Sequence, residues 1–305
     1  TEGHAFSGRA GIERYLELGY CPADEMRQAV SRTLEYAYAD YCLARLAEAL
    51  GHDEDAAEFD RRAQSYRKLF NEATQYLQPR NADGQFDEKF KPFLLSYLDL
   101  TGDATNDYVE GSAAQWRWAV PHDPEGLIAL FASRESFVSE LEAFFEGSKP
   151  EVGANPNGYY WQGNQPDLYA AYLFNHAGRP DLTQKWVRWI LETKHGDGPD
   201  GLDGNDDGGT LSAWYVLRSL GLFPTAGTDR YELTSPLWAR AELDLGDGRR
   251  LEIVADADEP GAEYIGRVWL NGERLRRTTI RHAEIGEGGE LRFELVPTAV
   301  IEATP

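Results

Sequence analysis

Between residues 23 and 220 the apolar side chains recur at helical spacing, and the helical segments come in pairs joined by very short turns. Residues 32–50 give way through Gly51-His52-Asp53 to 54–70, residues 125–132 pass to 135–145, and residues 166–177 pass through Gly178-Arg179-Pro180 to 181–194. Gly51 and Gly178 suit helix stops, because glycine enters the left-handed conformation without a Cβ penalty, and Asp53 and Asp181 suit helix starts. Connections this short make consecutive helices neighbours. Three such αα-hairpins predict a stacked or ring-like helical array, such as an α/α toroid.

After Pro224 the pattern changes to short alternating strands with glycine turns, at residues 240–245, 250–255, 264–270 and 290–296, with Asn271-Gly272 as a strong hairpin signal. The chain therefore reads as a helical region, 1–225, and a strand-rich segment, 226–305. Roughly 75 residues of strand make a poor self-sufficient sandwich, so these strands are expected to complete a sheet elsewhere. The start, RAGIERYLELGY, shows no evident first layer, and both ends read as pieces of something larger.

A net charge of -22, from 52 acidic and 30 basic residues, argues against nucleic acid and anionic membrane surfaces as partners, since both would repel such a body. No run of 18 apolar residues occurs, so no membrane span is expected. Cations and neutral ligands remain, and 8 Trp and 16 Tyr supply the flat apolar faces that sugar-binding clefts use beside carboxylates, although most will fill ordinary core. Cys21 and Cys42 leave one bridge open, but a small buried thiol is the commoner state for a cysteine on a helical face.

The stretch PDGLDGNDDGG, residues 199–209, sets four aspartates among four glycines directly before the apolar-periodic run TLSAWYVLRSLGLFP. Asn205, Asp206 and Asp207 are expected at the cap and first turn of that helix, where unpaired N–H groups and the helix dipole keep a carboxyl ionised. Such a group can serve as a general base or bind a cation, and it can equally be a plain acidic cap. A calcium loop of the EF-hand type does not fit the aspartate spacing.

In YVEGSAAQWRW, residues 108–118, the single carboxyl Glu110 lies near Tyr108, Trp116 and Trp118. Apolar neighbours would raise its pKa and make it an acid, whereas pairing with Arg117 would lower it. Gln115 and Trp116 are candidate substrate contacts; His122 is another, with capping of the next helix by His122-Asp123 the plainer alternative. In YYWQGNQPD, residues 159–167, the amides of Asn164 and Gln165 and the carboxyl of Asp167 can hydrogen-bond sugar hydroxyls or coordinate a hard cation. Asn164 could instead merely cap the helix that Pro166 begins. His176 and His195 lie near helix ends, where capping or solvated roles are commoner than catalysis. A raised-pKa carboxyl on one loop and an ionised aspartate pair on another form the two-carboxylate equipment of glycoside hydrolysis.

Taken together, GYCPADE, SRTLEYAYADYCLARLA, YVEGSAAQW with VPHD, GNQPDLYAAYLFNHAGRP and PDGLDGNDDGGTLSAWYVLRSLGLFP closely resemble glycoside hydrolase family 92, the calcium-dependent inverting exo-α-mannosidases. The resemblance covers nearly the whole chain. It implies part of an (α/α)6 toroid followed by strands that complete a β-sandwich. It implies Glu110 as general acid, Asp207 as the base that activates water, and Asp206 as its partner. It places a calcium site at Asn164 and Gln165, with substrate contacts from Gln115, Trp116, His122, Asn164, Asp167, Ser212 and Trp214. The implied substrates are terminal α-mannosides, α-1,2-linked above all, in mannans or high-mannose N-glycans, and the implied location is extracellular.

Family members are about twice this length, with an N-terminal sandwich and the first half of the toroid ahead of the region matched. The resemblance therefore implies a C-terminal part, with the N-terminal half, in the same or a cleaved chain, as its partner. Three positions depart from the family pattern. Ser112 and Ala114 stand where Asn and Trp are usual, which should open the leaving-group side, and Gln165 replaces a glutamate at the metal site. A mannose phosphodiester-cleaving enzyme and a non-catalytic carbohydrate-binding fragment are the alternatives.

Overall fold

A computed structural model describes residues 8–95, 107–153, 156–257 and 259–300. The chain forms two compact units, one of Thr1–Ser148 with Pro156–Asp167 and the other of Lys149–Asn155 with Leu168–Pro305.

The first unit is built on α1 (Ile12–Leu18), α2 (Ala29–Ala49) and α3 (Asp53–Ala63). Leu50 ends α2, Gly51 follows with φ +75°, and α3 packs against α2, so the first expected hairpin is present. Asp40 of α2 has no exposed side-chain surface; Arg9 (2.5 Å), Arg62 (3.3 Å) and Tyr15 Oη (3.1 Å) surround it. Removing those partners would strand a buried charge, which costs about 3–5 kcal/mol.

The expected helix over 54–70 is shorter than its apolar spacing suggested. After Ala63 the backbone tightens into a 3-10 turn, Gln64–Leu69, whose threefold period puts Tyr66 and Leu69 on one buried face. A small hairpin, β1 (Phe70–Asn71) and β2 (Tyr76–Leu77), closes the segment.

Beyond it come α4 (Ala113–Trp116), α5 (Pro124–Ile128) and α6 (Arg134–Glu146). The expected helix 125–132 ends at Ile128, because the next helix needs its own start: Ser133 is extended and its side chain accepts from Ser136 N. Trp118 packs between Phe131 and Phe137 at centroid distances of 5.9 and 5.5 Å.

In the second unit α7 (Leu173–His176) and α8 (Pro180–Thr193) form a packed pair, with Gly178 at φ +74° between them. The single helix expected over 166–177 is absent. Separate 3-10 turns at Gln165–Asp167 and Ala170–Tyr172 precede the four residues of α7, and the unit boundary falls between the two turns. Asp167 bonds backbone N–H of Trp161 rather than facing solvent on a helix, the kind of local competition that favours turns.

Helix α9 (Thr210–Ser219) leads into β3 (Leu222–Pro224) and β4 (Arg230–Leu233). Then come β5 (Arg240–Gly246), β6 (Arg249–Ala257), β7 (Tyr264–Leu270), β8 (Glu273–Leu275), β9 (Thr279–Arg281), α10 (His282–Ile285) and β10 (Gly289–Val296). The strands pair among themselves, in a five-stranded sheet of order β5-β6-β10-β7-β8 and a three-stranded sheet β3-β4-β9. Strand β10 runs parallel to β6 and antiparallel to β7, and Leu251, Ile253, Leu291 and Phe293 are buried along the central pair. Asn271 and Gly272, at φ +51° and +84°, make the tight hairpin turn their sequence signals.

Both cysteines are free thiols, Cys21 buried and Cys42 half-buried, and burial pushes the Cys21 thiol up to about 11.

Candidate active site

Glu110 sits on the first unit in a turn where its φ is +46°, a left-handed conformation uncommon for a residue with a side chain. The backbone on either side of it is clamped. Val109 N donates to Ser31 Oγ (2.8 Å), Trp116 Nε1 donates to Val109 O (2.8 Å) and Asn164 Nδ2 donates to Glu110 O (3.1 Å). Gly111 belongs to the same clamp, since a Cβ there would meet Asn164 Nδ2 and Gln115 Oε1 at 2.8 Å.

The carboxyl itself is exposed, and this corrects the reading that Tyr108, Trp116 and Trp118 desolvate it. Those rings are buried in the core behind the turn, and Tyr108 Oη bonds Leu77 O at 2.7 Å. Arg117 is not a partner of Glu110 either: it reaches Glu140 at 3.0 Å and lies against Tyr76, Trp118 and Phe131.

Ser112 and Gln115 form a reciprocal capping box at α4. Ser112 Oγ accepts from Gln115 N (3.2 Å) while Gln115 Oε1 accepts from Ser112 N (3.0 Å). Both side chains then reach a second segment, Ser112 Oγ to Gly158 O (2.7 Å) and Gln115 Nε2 to Tyr159 O (2.8 Å). Ser112, Ala114 and Gln115 are all buried, so the small residues at 112 and 114 fill core rather than open a pocket.

Of the other expected contacts on this unit, Trp116 acts as a brace for the Glu110 turn. His122 is 6% exposed, packed among Tyr38, Tyr41 and Tyr66, with Nε2 3.0 Å from Ala63 O; burial lowers its pKa. Its neighbour Asp123 caps α5 by accepting from Gly126 N.

Asn164 is buried beside the Glu110 turn, and its amide nitrogen donates to the Glu110 carbonyl. Asp167 is fully buried. Its Oδ2 accepts from Trp161 N (2.9 Å), its Oδ1 has no hydrogen-bond partner, and burial pushes its pKa well above the usual carboxyl range. Asp167 thus braces the 161–167 turn from beneath and does not face outward.

The amide oxygens of Asn164 and Gln165 are hard neutral donors of the kind calcium takes. Among the described residues no group of three or more His, Cys, Asp and Glu could hold a metal ion. Calcium coordination by these two amides would need further ligands from carbonyls, water and substrate hydroxyls.

On the second unit the acidic loop is tied down at both ends. Lys194 and Asp203, both buried, pair at 3.3 Å, and Asp203 Oδ1 accepts from Gly153 N at 2.8 Å. This pair had no distinguishing signal in the sequence beyond a lysine at a helix end. A Cβ at Gly201 would meet Gly196 O at 2.3 Å, so this glycine is needed for its smallness. Gly208 and Gly209 instead face open space and are needed for their handedness, with φ of +62° and +78°.

Those two left-handed residues let the chain turn into α9, which begins only at Thr210, so neither Asn205 nor Asp207 occupies the helix cap. Asp206 caps from upstream. Its Oδ1 accepts from Leu211 N (2.8 Å) and Ser212 N (3.1 Å), its Oδ2 accepts from Ser212 Oγ, and those bonds, the Ser212 hydroxyl first, lower its pKa. Asp207 is exposed beside it, and its carbonyl accepts from Thr210 Oγ1 (2.7 Å). Ser212 therefore serves Asp206. Trp214 is buried, with Nε1 on Leu168 O (3.1 Å) and its ring stacked on His195, whose pKa burial lowers.

Each unit thus presents exposed carboxyls, Glu110 on a clamped turn of the first and Asp206 with Asp207 at a helix start of the second, and carboxyls are the groups glycoside hydrolases use. Residues 1–297 match the glycosyl hydrolase family 92 catalytic domain, and the chain belongs to that family. A family GH92 alpha-mannosidase of Bacteroides thetaiotaomicron, solved with mannoimidazole, superposes with a TM-score of 0.89 at 32% identity over 97% of this chain and 40% of its own. A family GH92 inverting mannosidase of the same organism gives a TM-score of 0.84 at 31% identity, over 97% of this chain and 41% of its own. In sequence, the chain is 27% identical to an uncharacterized secreted glycosidase of Arthroderma benhamiae, over 94% of this chain and 39% of that protein. The chain thus spans about 40% of the length of the relatives it matches.

Proposed function

We propose that this chain supplies the acid and base carboxyls of an inverting exo-α-mannosidase that removes terminal α-mannose, α-1,2-linked, from mannans or high-mannose N-glycans. The observation that carries the reading is Glu110: an exposed carboxyl in a left-handed backbone conformation that three hydrogen bonds hold in place. Such local strain persists only where surrounding structure enforces it, and it clusters at working sites.

In this reading Glu110 gives its proton to the glycosidic oxygen as the bond from that oxygen to the anomeric carbon breaks. Asp207 takes a proton from the water that attacks the opposite face of the sugar, and Asp206 fixes the base's loop on the helix start. Exchange with solvent then restores both carboxyls. Asn164 and Gln165 would hold calcium, which supplies hard-cation coordination of sugar hydroxyls. The rest of the catalytic domain, in the same or a cleaved chain, supplies the remaining contacts. An extracellular location follows the relative called a secreted glycosidase, and among the described residues no helix is long and apolar enough to cross a membrane.

The test is NMR-monitored hydrolysis of an α-1,2-mannobioside by the full-length enzyme, with EDTA and with calcium restored. β-Mannose should appear first, EDTA should stop the reaction, and Glu110→Gln or Asp207→Asn should each cost roughly 10²–10⁴-fold in kcat. α-Mannose as first product would overturn the inverting mechanism. Full activity in EDTA would remove calcium, and binding without turnover would leave a carbohydrate-binding protein.

A further inference from the structure

Phe93 is a large aromatic side chain left 42% exposed, and its surroundings fix it in place. Its neighbour Pro92 accepts a hydrogen bond from Ala114 N at 2.9 Å, on the helix that follows the Glu110 turn. Its own carbonyl lies against Gly158, where an added Cβ would come within 2.3 Å of it. Gly158 also has φ +86°, so no other residue fits comfortably there. The Phe93 ring stacks at 4.5 Å and 32° on Tyr159, and Tyr159 in turn lies where a side chain on Gly147 would be, its ring 2.4 Å from the Cβ position.

The same two residues, Gly158 and Tyr159, receive the side-chain hydrogen bonds of Ser112 and Gln115. The exposed ring and the Glu110 turn are therefore two parts of one rigid assembly. Of the other exposed apolar side chains among the described residues, Leu16, Leu43, Leu46 and Val216 lie on regular helices, and the exposed aromatic Trp238 belongs to the other unit. Phe93 instead lies on an irregular segment bolted to the turn that presents the acid.

We propose that Phe93, backed by Tyr159, is the aromatic floor of the leaving-group subsite and stacks the apolar face of the sugar that departs when the mannosidic bond breaks. A general acid protonates the leaving oxygen, so an exposed ring joined rigidly to that acid's turn is a candidate surface for the leaving group. A pyranose presents axial C–H bonds on one face, and a flat ring fixed beforehand binds that face at little entropic cost. This assignment rests on the mannosidase reading, and it makes the enzyme prefer a sugar over a small leaving group.

The experiment compares full-length wild type, Phe93→Ala and Phe93→Trp on two substrates, an α-1,2-mannobioside and α-mannosyl fluoride, which has no leaving-group sugar. The ratio of kcat/KM on the mannobioside to that on the fluoride should fall about tenfold in Phe93→Ala and return in Phe93→Trp. Equal losses on both substrates would show that Phe93 only supports the Glu110 turn, and no loss on either would show that no sugar stacks there; either result overturns the assignment. Wild type inert on both substrates would sink the mannosidase reading itself, and the subsite with it.

Discussion

Gln115 was expected to touch substrate, and the structure gives it other work, which can be tested through stability. Its side chain is fully buried, accepts from Ser112 N at 3.0 Å and donates to Tyr159 O at 2.8 Å. Gln115→Ala would leave one buried donor and one buried acceptor without partners, each costing about 1–3 kcal/mol, for a total of roughly 2–6 kcal/mol. Gln115→Glu keeps the shape and the bond from Ser112, but it has no proton to give Tyr159 O and buries a carboxylate, so it should be no milder. Urea unfolding followed by tryptophan fluorescence should show a lower midpoint for both variants with an unchanged slope. Because the Glu110 turn rests on this residue, kcat should fall as well, by about 100-fold if the acid moves near 1 Å. A raised KM with wild-type stability and kcat would mean that Gln115 binds substrate instead of bracing the turn, and the reasoning would be wrong.

Other outcomes follow from single contacts. Burial lowers the pKa of His122, so below roughly pH 6.5 the unfolded chain takes up a proton that the folded chain refuses. Stability should therefore drop as pH falls from that point, by up to about 1.4 kcal/mol per unit until the folded-state pKa is reached. His122→Phe should flatten that slope in urea titrations between pH 5 and 7, and an unaltered slope would mean the imidazole is charged in the fold. Ser212→Ala removes the bond that most lowers the Asp206 pKa, so the acid limb of kcat/KM should move to higher pH, while a fixed limb would assign it elsewhere. In the acidic loop, Gly208→Ala should cost about 1–2 kcal/mol for its handedness alone, whereas Gly201→Ala, meeting backbone on two sides, should lower the thermal midpoint further.

The parts of this fold that were legible in the sequence are those that local chemistry decides. Glycines at 51, 178 and 272 take the left-handed conformations their positions demanded, and the change from a period near four to a period of two falls close to Pro224, where the strands begin. Less legible was where helices end, because Tyr66 answers to a partner far along the chain, its Oη bonding Asp123, and Asp167 is drawn back into a turn by the backbone N–H of Trp161. The same division runs through the candidate site. The sequence singled out Glu110, Asp206 and Asp207, all three exposed in the structure, yet it could not separate the residues that face outward from those that hold them. Trp116, Gln115, His122, Asp167 and Trp214 were all candidate substrate contacts, and all five are buried. For Trp116 and Gln115, which brace the Glu110 turn, that burial has a physical cause. An exposed carboxyl on a backbone turn keeps its aim only if the turn is over-determined, and polar side chains beneath it are the cheapest source of directional restraint. A loop with a single acid and many buried donors is therefore the expected appearance of a turn that must hold a proton donor in one position.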